Sequence, residues 1–170
     1  GPFDYCSVLS YSPDGKTLAY TAKIDGNWYV IAGKEKVGPY DDCWDLVFSP
    51  DGKTLAYTAK IDGKWYVIVG NEKAGPYDEY RNLSYSPDGK TLAYTVMIDE
   101  KMYVIAGKEK AGPYDNCFDL VYSPDGKTLA YKALIDNDVY SFVLINGHQY
   151  LGSVINDKTI YIDNNQIFIK

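Results

Sequence analysis

Few residues in this 170-residue chain have the chemistry of a site, and their spacing is regular. Cys6 and Cys43 are 37 residues apart, and Cys117 follows after twice that interval. No C-x-x-C pair occurs, so the ligand spacing of a zinc centre is missing. Nor do the intervals favour a disulfide, whose two Cα atoms must lie within about 7 Å. The thiols read as small buried apolar side chains. His148 is the single histidine and follows Asn146-Gly147, a hairpin-turn pair. With no second histidine, and no serine or cysteine tied to it by motif, a hydrolytic triad has nothing to rest on. The Asp-Gly pairs at 25–26 and 62–63 offer one carboxylate each, whereas a calcium loop supplies several oxygens. Neighbouring acids such as Asp41-Asp42 read as solvated. The expectation from these residues is no catalytic group, no metal site, no cofactor and no enzymatic activity.

The 37-residue interval is the more informative feature. The nonapeptide "SPDGKTLAY" occupies 12–20 and returns unchanged at 49–57, 86–94 and 123–131. Residues 1–37 and 38–74 are identical at 27 of 37 positions. The segment 154–170, "VINDKTIYIDNNQIFIK", reads as a shortened fifth copy. Within a copy the apolar period is two, not 3.6: Leu55, Tyr57 and Ala59 alternate with Ala56, Thr58 and Lys60, and Trp65, Val67 and Val69 with Tyr66 and Ile68. Turn residues punctuate these short runs. Pro50-Asp51-Gly52, Asp62-Gly63 and Gly70-Asn71 each supply the backbone freedom for a reversal. The second copy therefore predicts four strands near 43–49, 53–60, 64–70 and 72–77, with no helix longer than a turn anywhere.

Four antiparallel strands repeated at this period predict an all-β chain, a β-propeller of 37-residue blades. The expected blades run about 5–41, 42–78, 79–115 and 116–152, with a fifth made of 153–170 plus 1–4, because "GPFD" at the start matches the "GPYD" that ends each copy. Such a closure leaves no open sheet edge. Leu9, Leu46, Leu83 and Leu120 are the same in every copy and are expected to form the core between blades, with Tyr11, Phe48, Tyr85 and Tyr122 along the same face. "SPDGKTLAY" followed by "DGKWYVI" resembles the WD40-like repeat of the TolB-type β-propellers over about four fifths of the chain. That resemblance implies a propeller used for protein contacts, and it carries over no catalytic residue.

Composition narrows the partners. The net charge is −6 with a pI near 4.7, and no Lys/Arg cluster lacks nearby carboxylates, which disfavours nucleic acid. No run approaches the eighteen or so apolar residues of a membrane helix. "GPFDYC" has neither the basic start nor the apolar run of a secretory leader, and the compartment is left open. Eighteen tyrosines suit half-buried strands.

Positions that differ between copies are those the fold does not dictate. They gather just after "GPYD": Tyr5-Cys6-Ser7-Val8, Asp42-Cys43-Trp44-Asp45, Glu79-Tyr80-Arg81-Asn82 and Asn116-Cys117-Phe118-Asp119. This segment and the Asp25-Gly26-Asn27 turn are expected to share one face. Trp44, Arg81 and Phe118 are residue types enriched at interfaces. The first expectation is a monomeric, non-catalytic scaffold that binds a protein through Asp42, Trp44, Asp45, Glu79, Tyr80, Arg81, Asn82, Asn116, Phe118 and Asp119. A second is a small carbohydrate ligand, held lectin-fashion between blades at Trp28, Trp65 and Met102. A third is a structural repeat, duplicated or engineered, with no ligand of its own.

Overall fold

In the computed structural model, residues 3–143 and Gln149 are described with their side chains, and 144–145, 148–154, 160–163 and 166–169 by backbone alone. Every described element is a strand. The first sheet is β1 (Tyr5–Tyr11), β2 (Leu18–Ile24), β3 (Asn27–Ala32) and β4 (Glu35–Tyr40). The second is β5 (Asp42–Phe48), β6 (Leu55–Ile61), β7 (Lys64–Val69) and β8 (Glu72–Tyr77). The third comprises β9 (Glu79–Tyr85), β10 (Leu92–Ile98), β11 (Lys101–Ala106) and β12 (Glu109–Tyr114). The fourth comprises β13 (Asn116–Tyr122), β14 (Thr128–Ile135), β15 (Asp138–Ile145) and β16 (His148–Val154). A two-stranded sheet of β17 (Ile160–Asp163) and β18 (Gln166–Ile169) follows. All pairings are antiparallel between chain neighbours, so each sheet is a meander. The four strands expected for the second copy are observed within two residues at each end. The chain divides into two compact units, Gly1–Tyr77 and Asp78–Lys170, each described by itself.

The repeated nonapeptide is a turn held by its own polar groups. In the second copy the Ser49 hydroxyl donates to Asp51 Oδ1 at 2.7 Å and accepts the Thr54 N–H at 3.0 Å. Asp51 Oδ1 also accepts the Lys53 N–H at 3.1 Å, while Gly52 N–H donates to the Ser49 carbonyl at 2.8 Å. Gly52 sits at φ +71, a left-handed backbone that a glycine adopts without steric cost. Ser, Asp, Gly and Thr are thus each fixed by a bond, which accounts for their return in every copy. The set recurs with nearly equal distances at Ser12, Ser86 and Ser123.

The aspartate of "GPYD" ties the far end of each sheet. Asp41 Oδ2 accepts the Gly63 N–H at 3.0 Å, Asp78 the Asp99 N–H at 3.0 Å and Asp115 the Asp136 N–H at 2.9 Å. The segment after "GPYD" and the β2–β3-type turn therefore share one end of their sheet, as expected from the sequence.

Both faces of the middle strands are buried, as at Ala56, Tyr57, Thr58 and Ala59 of β6. In the first unit Ala19 and Val30 of one sheet meet Cys43, Leu46, Tyr57, Ala59 and Ile68 of the next. In the second unit, positions 74 residues on repeat the arrangement: Ala93 and Val104 against Cys117, Tyr131, Ala133 and Phe142. Each fully buried aliphatic side chain contributes about 1.5–3 kcal/mol. Tyr40 and Tyr57 join hydroxyls at 2.8 Å across the first interface, and Tyr114 and Tyr131 do so across the second. One expectation needs correction. Leu46 is buried and Leu120 packs on the core, but Leu9 is 72% exposed and Tyr11 is 65% exposed. No described residue covers that face of β1. The expected closure by 153–170 with 1–4 rests largely on side chains outside the described residues.

Candidate functional site

In the first unit, the varied segment and the turn ends build an aromatic group. Trp28 on β3 and Trp44 on β5 approach to 6.2 Å between ring centroids, and Tyr5 meets Trp28 edge-on at 5.9 Å. Trp44 stays 38% exposed and Tyr5 57%. Lys23 sits 5.9 Å from the Trp28 ring, within cation–π reach. A bulge in β5 between Trp44 and Val47 aims the tryptophan, with Asp45 at φ +52. Buried Thr58 stabilises this bulge by donating its hydroxyl to the Trp44 carbonyl at 3.1 Å. The sequence assigned Trp28 and Trp44 to different kinds of site; the fold puts them together.

The remaining candidates take local roles. Asp42 Oδ1 accepts the Cys43 N–H at 2.9 Å, and Asn116 Oδ1 does the same for Cys117 at 2.9 Å. Glu79 pairs with Arg81 at 3.1 Å and Asp119 with Lys132 at 2.9 Å. Asn82 is at φ +59 and donates to Thr95 Oγ1 at a long 3.5 Å. Tyr80 and Phe118 are half-buried. Trp65 is half-buried with Lys60 5.7 Å from its ring, whereas Met102 is only 4% exposed and belongs to the core. The side chain of His148 lies outside the described residues.

Cys43 and Cys117 are buried, and desolvation pushes each thiol up to about 12. Neither is a nucleophile at neutral pH. Cys6, expected to be buried, is exposed, because β1 lacks the sheet that covers Cys43 and Cys117. Among the described residues no three His, Cys, Asp or Glu side chains form a metal-sized group.

At the opposite end of the same unit lies a feature that sequence reading missed. A cleft of about 610 Å³ opens between the first and second sheets, beside the turns at Gly33, Gly52 and Gly70. Val30, Phe48, Leu55 and Tyr57 give it apolar walls. Lys34, Lys53, Glu35 and Asn71 add charged and amide groups, and Thr17 and Thr54 complete the lining. Burial raises the Tyr57 phenol above its ordinary value, so it is a neutral hydroxyl. The volume is that of a small-molecule site. Lys53, Thr54, Leu55 and Tyr57 belong to the repeated nonapeptide, and the lining positions that vary, such as Asn71 against Lys34 and Lys108, lie outside the segment after "GPYD" where variation gathers.

No family model and no curated relative matches the chain. Solved structures do. The β-propeller domain of the trilobed protease of Pyrococcus furiosus matches with TM-score 0.59 and 12% identity, over 99% of this chain and 64% of that one. A protein assigned as a 6-phosphogluconolactonase from Bacteroides uniformis matches at 0.57 and 19%, over 98% and 58%. One assigned as TolB from Agrobacterium tumefaciens matches at 0.53 and 20%, over 95% and 65%. The chain thus spans 58–65% of the length of these structures. The likeness shows the fold: an all-β propeller of four-stranded antiparallel repeats. It also corrects two expectations, the non-catalytic scaffold and the absence of enzymatic activity. A protein assigned as a lactonase has this same architecture, so a missing catalytic motif does not separate a scaffold from an enzyme.

Proposed function

We propose that the chain binds a small polyhydroxylated acid, or the corresponding lactone, in the cleft between its first two sheets. The observation that carries this reading is the cleft: about 610 Å³, walled by Phe48 and Tyr57, with Lys34, Lys53, Glu35 and Asn71 among its lining. Two ammonium groups suit a carboxylate or phosphate as point-charge partners. Hydroxyl and amide groups suit a polyol, and an aromatic wall suits the apolar face of a ring. The activity assigned to the Bacteroides uniformis protein, 6-phosphogluconolactonase, acts on a ligand of this class. The TolB likeness and the "SPDGKTLAY" repeat support membership of the TolB-type repeat group.

Glu35 is the one carboxylate lining the cleft. In lactone opening it would take a proton from water as the water oxygen adds to the ring carbonyl, and then return that proton to the departing ring oxygen as the C–O bond breaks, giving a hydroxyl and restoring the carboxylate. The test is calorimetric titration with gluconate and 6-phosphogluconate, beside pH-stat measurement of lactone hydrolysis. Binding of 6-phosphogluconate is expected, weakened about tenfold by Lys34→Ala with Lys53→Ala, a loss of about 1.4 kcal/mol. No heat from either acid at millimolar concentration would overturn the reading. Hydrolysis lost in Glu35→Gln with binding retained would extend it to catalysis.

A further inference from the structure

Among the described residues, the large hydrophobic side chains most exposed to solvent are Leu9 at 72%, Tyr11 at 65% and Val121 at 60%. Their positions in the repeat are not random. Leu9 and Tyr11 lie on the face of β1 that corresponds to Leu46 and Phe48 on β5, and to Leu120 and Tyr122 on β13. In those two strands the face is occupied. In the first unit the row Ala19–Ala32, paired across β2 and β3, supplies the cover together with Val30. In the second unit Ala93, Ala106 and Val104 do so. The kind of surface that fits over Leu9 and Tyr11 is therefore displayed twice within the molecule.

Val121 marks the complementary surface. It pairs across strands with Ala130, and Ala130 with Val143. These are the fourth sheet's equivalents of Ser10, Ala19 and Ala32. On this sheet the row is uncovered: Val121 is exposed, and Ala130 and Val143 are half-buried. Lys132 stands where the other three sheets have a threonine that is 0% exposed, and it is exposed and paired with Asp119. Phe3 packs on Tyr20 at 6.0 Å, in the place that Tyr40 takes over Tyr57, so a first fragment of cover is present. No other described residue covers the Leu9 face.

We infer that the chain associates with a second copy of itself head to tail, the Val121–Ala130–Val143 face of one copy seating on the Cys6–Leu9–Tyr11 face of the next. The contact is heterologous, so a pair of copies retains one free face of each kind and the series grows until it closes. The packing needs no new chemistry, because the same pair of faces forms the core of both units.

Sedimentation velocity of the full chain between micromolar and 100 µM concentration tests this. Wild type is expected to shift from monomer to larger species with concentration. Leu9→Glu and Val121→Glu each place a charge where a side chain is mostly solvated, so circular dichroism and melting are expected to match wild type. Each variant alone is expected to need more than about tenfold higher concentration to associate. Mixed, they are expected to form a heterodimer and nothing larger, since Leu9→Glu retains its Val121 face and Val121→Glu its Leu9 face. A wild-type chain that stays monomeric would overturn the inference. So would association that survives both substitutions, or a mixture that behaves as the sum of its parts.

Discussion

The hydroxyl of Thr58 decides whether the bulge that aims Trp44 holds its shape. Thr58 is 0% exposed and donates to the Trp44 carbonyl at 3.1 Å. That carbonyl lies where the β5–β6 register shifts, so the ladder does not resume until Val47. Replacing Thr58 by Val keeps the volume and removes the donor. A buried acceptor left unpaired costs about 1–3 kcal/mol. The added methyl returns about 0.8 kcal/mol of apolar burial, so the expected net loss is about 0.2–2 kcal/mol. Thr58→Ser keeps the bond, deletes one methyl and is expected to lose about 1 kcal/mol. Stability alone hardly separates the two, but the Trp28–Trp44 ring contact does. Near-ultraviolet circular dichroism, which reports coupled indoles, is expected to change in Thr58→Val and to be retained in Thr58→Ser. Urea unfolding supplies the energies. Thr58→Val with wild-type stability and an unchanged aromatic spectrum would refute the reasoning, since the bulge would then stand without its hydroxyl.

Four further outcomes are expected. Gly75→Ala places a Cβ 2.8 Å from the Tyr66 ring and 2.9 Å from the Trp65 carbonyl at φ +135, so a melting temperature lower by more than about 4 °C is expected. Glu100 occupies a turn position at φ +62 where the first two copies have glycine, so Glu100→Gly is expected to raise stability by about 1 kcal/mol in urea unfolding. Of the three thiols, one is expected to react rapidly with a disulfide reagent at pH 8 in the native chain and all three in denaturant, because burial holds Cys43 and Cys117 near 12. Asp14, Asp51, Asp88 and Asp125 are each held below 3.8, first by the serine hydroxyl two residues before and then by a backbone N–H. A depressed folded value means stability present above about pH 4 and lost as the pH falls through the folded values. Acid titration of the melting temperature is expected to show that fall, reduced in Ser49→Ala.

Identity between copies made the strands legible, and it also hid the cleft. Ser49, Asp51, Gly52 and Thr54 recur because a turn uses each of them, so strand order and turn positions could be read from the letters alone. The same uniformity made Thr17, Lys53 and Tyr57 look like scaffold, although two neighbouring sheets bring them to one opening. Pairing across sheets is a tertiary fact with no local period, which is why Trp28 and Trp44 were read as members of separate sites. Cys6 and Leu9 failed for a related reason. Their letters match Cys43 and Leu46, but burial depends on the neighbour a strand receives, and β1 receives no described sheet.

Differences among copies carry a second kind of information once the sheets are known. At the buried threonine position, Thr21, Thr58 and Thr95 each donate to a bulge carbonyl, at 2.9, 3.1 and 3.1 Å. The fourth copy has Lys132, which pairs with Asp119 instead. A lysine cannot occupy a closed apolar interface without a large desolvation cost, so this substitution is compatible only with a sheet whose outer face keeps some contact with water. Tyr5 departs in the other direction, an aromatic ring where the later copies have Asp42, Glu79 and Asn116. Packing does not require it there, since three polar residues serve equally well, yet it completes the Tyr5–Trp28–Trp44 group. Selection for folding alone accounts for the letters that repeat. Tyr5, Trp44 and Lys132, which do not repeat, fall at a sheet end or an uncovered face, where a ligand or a second copy has access.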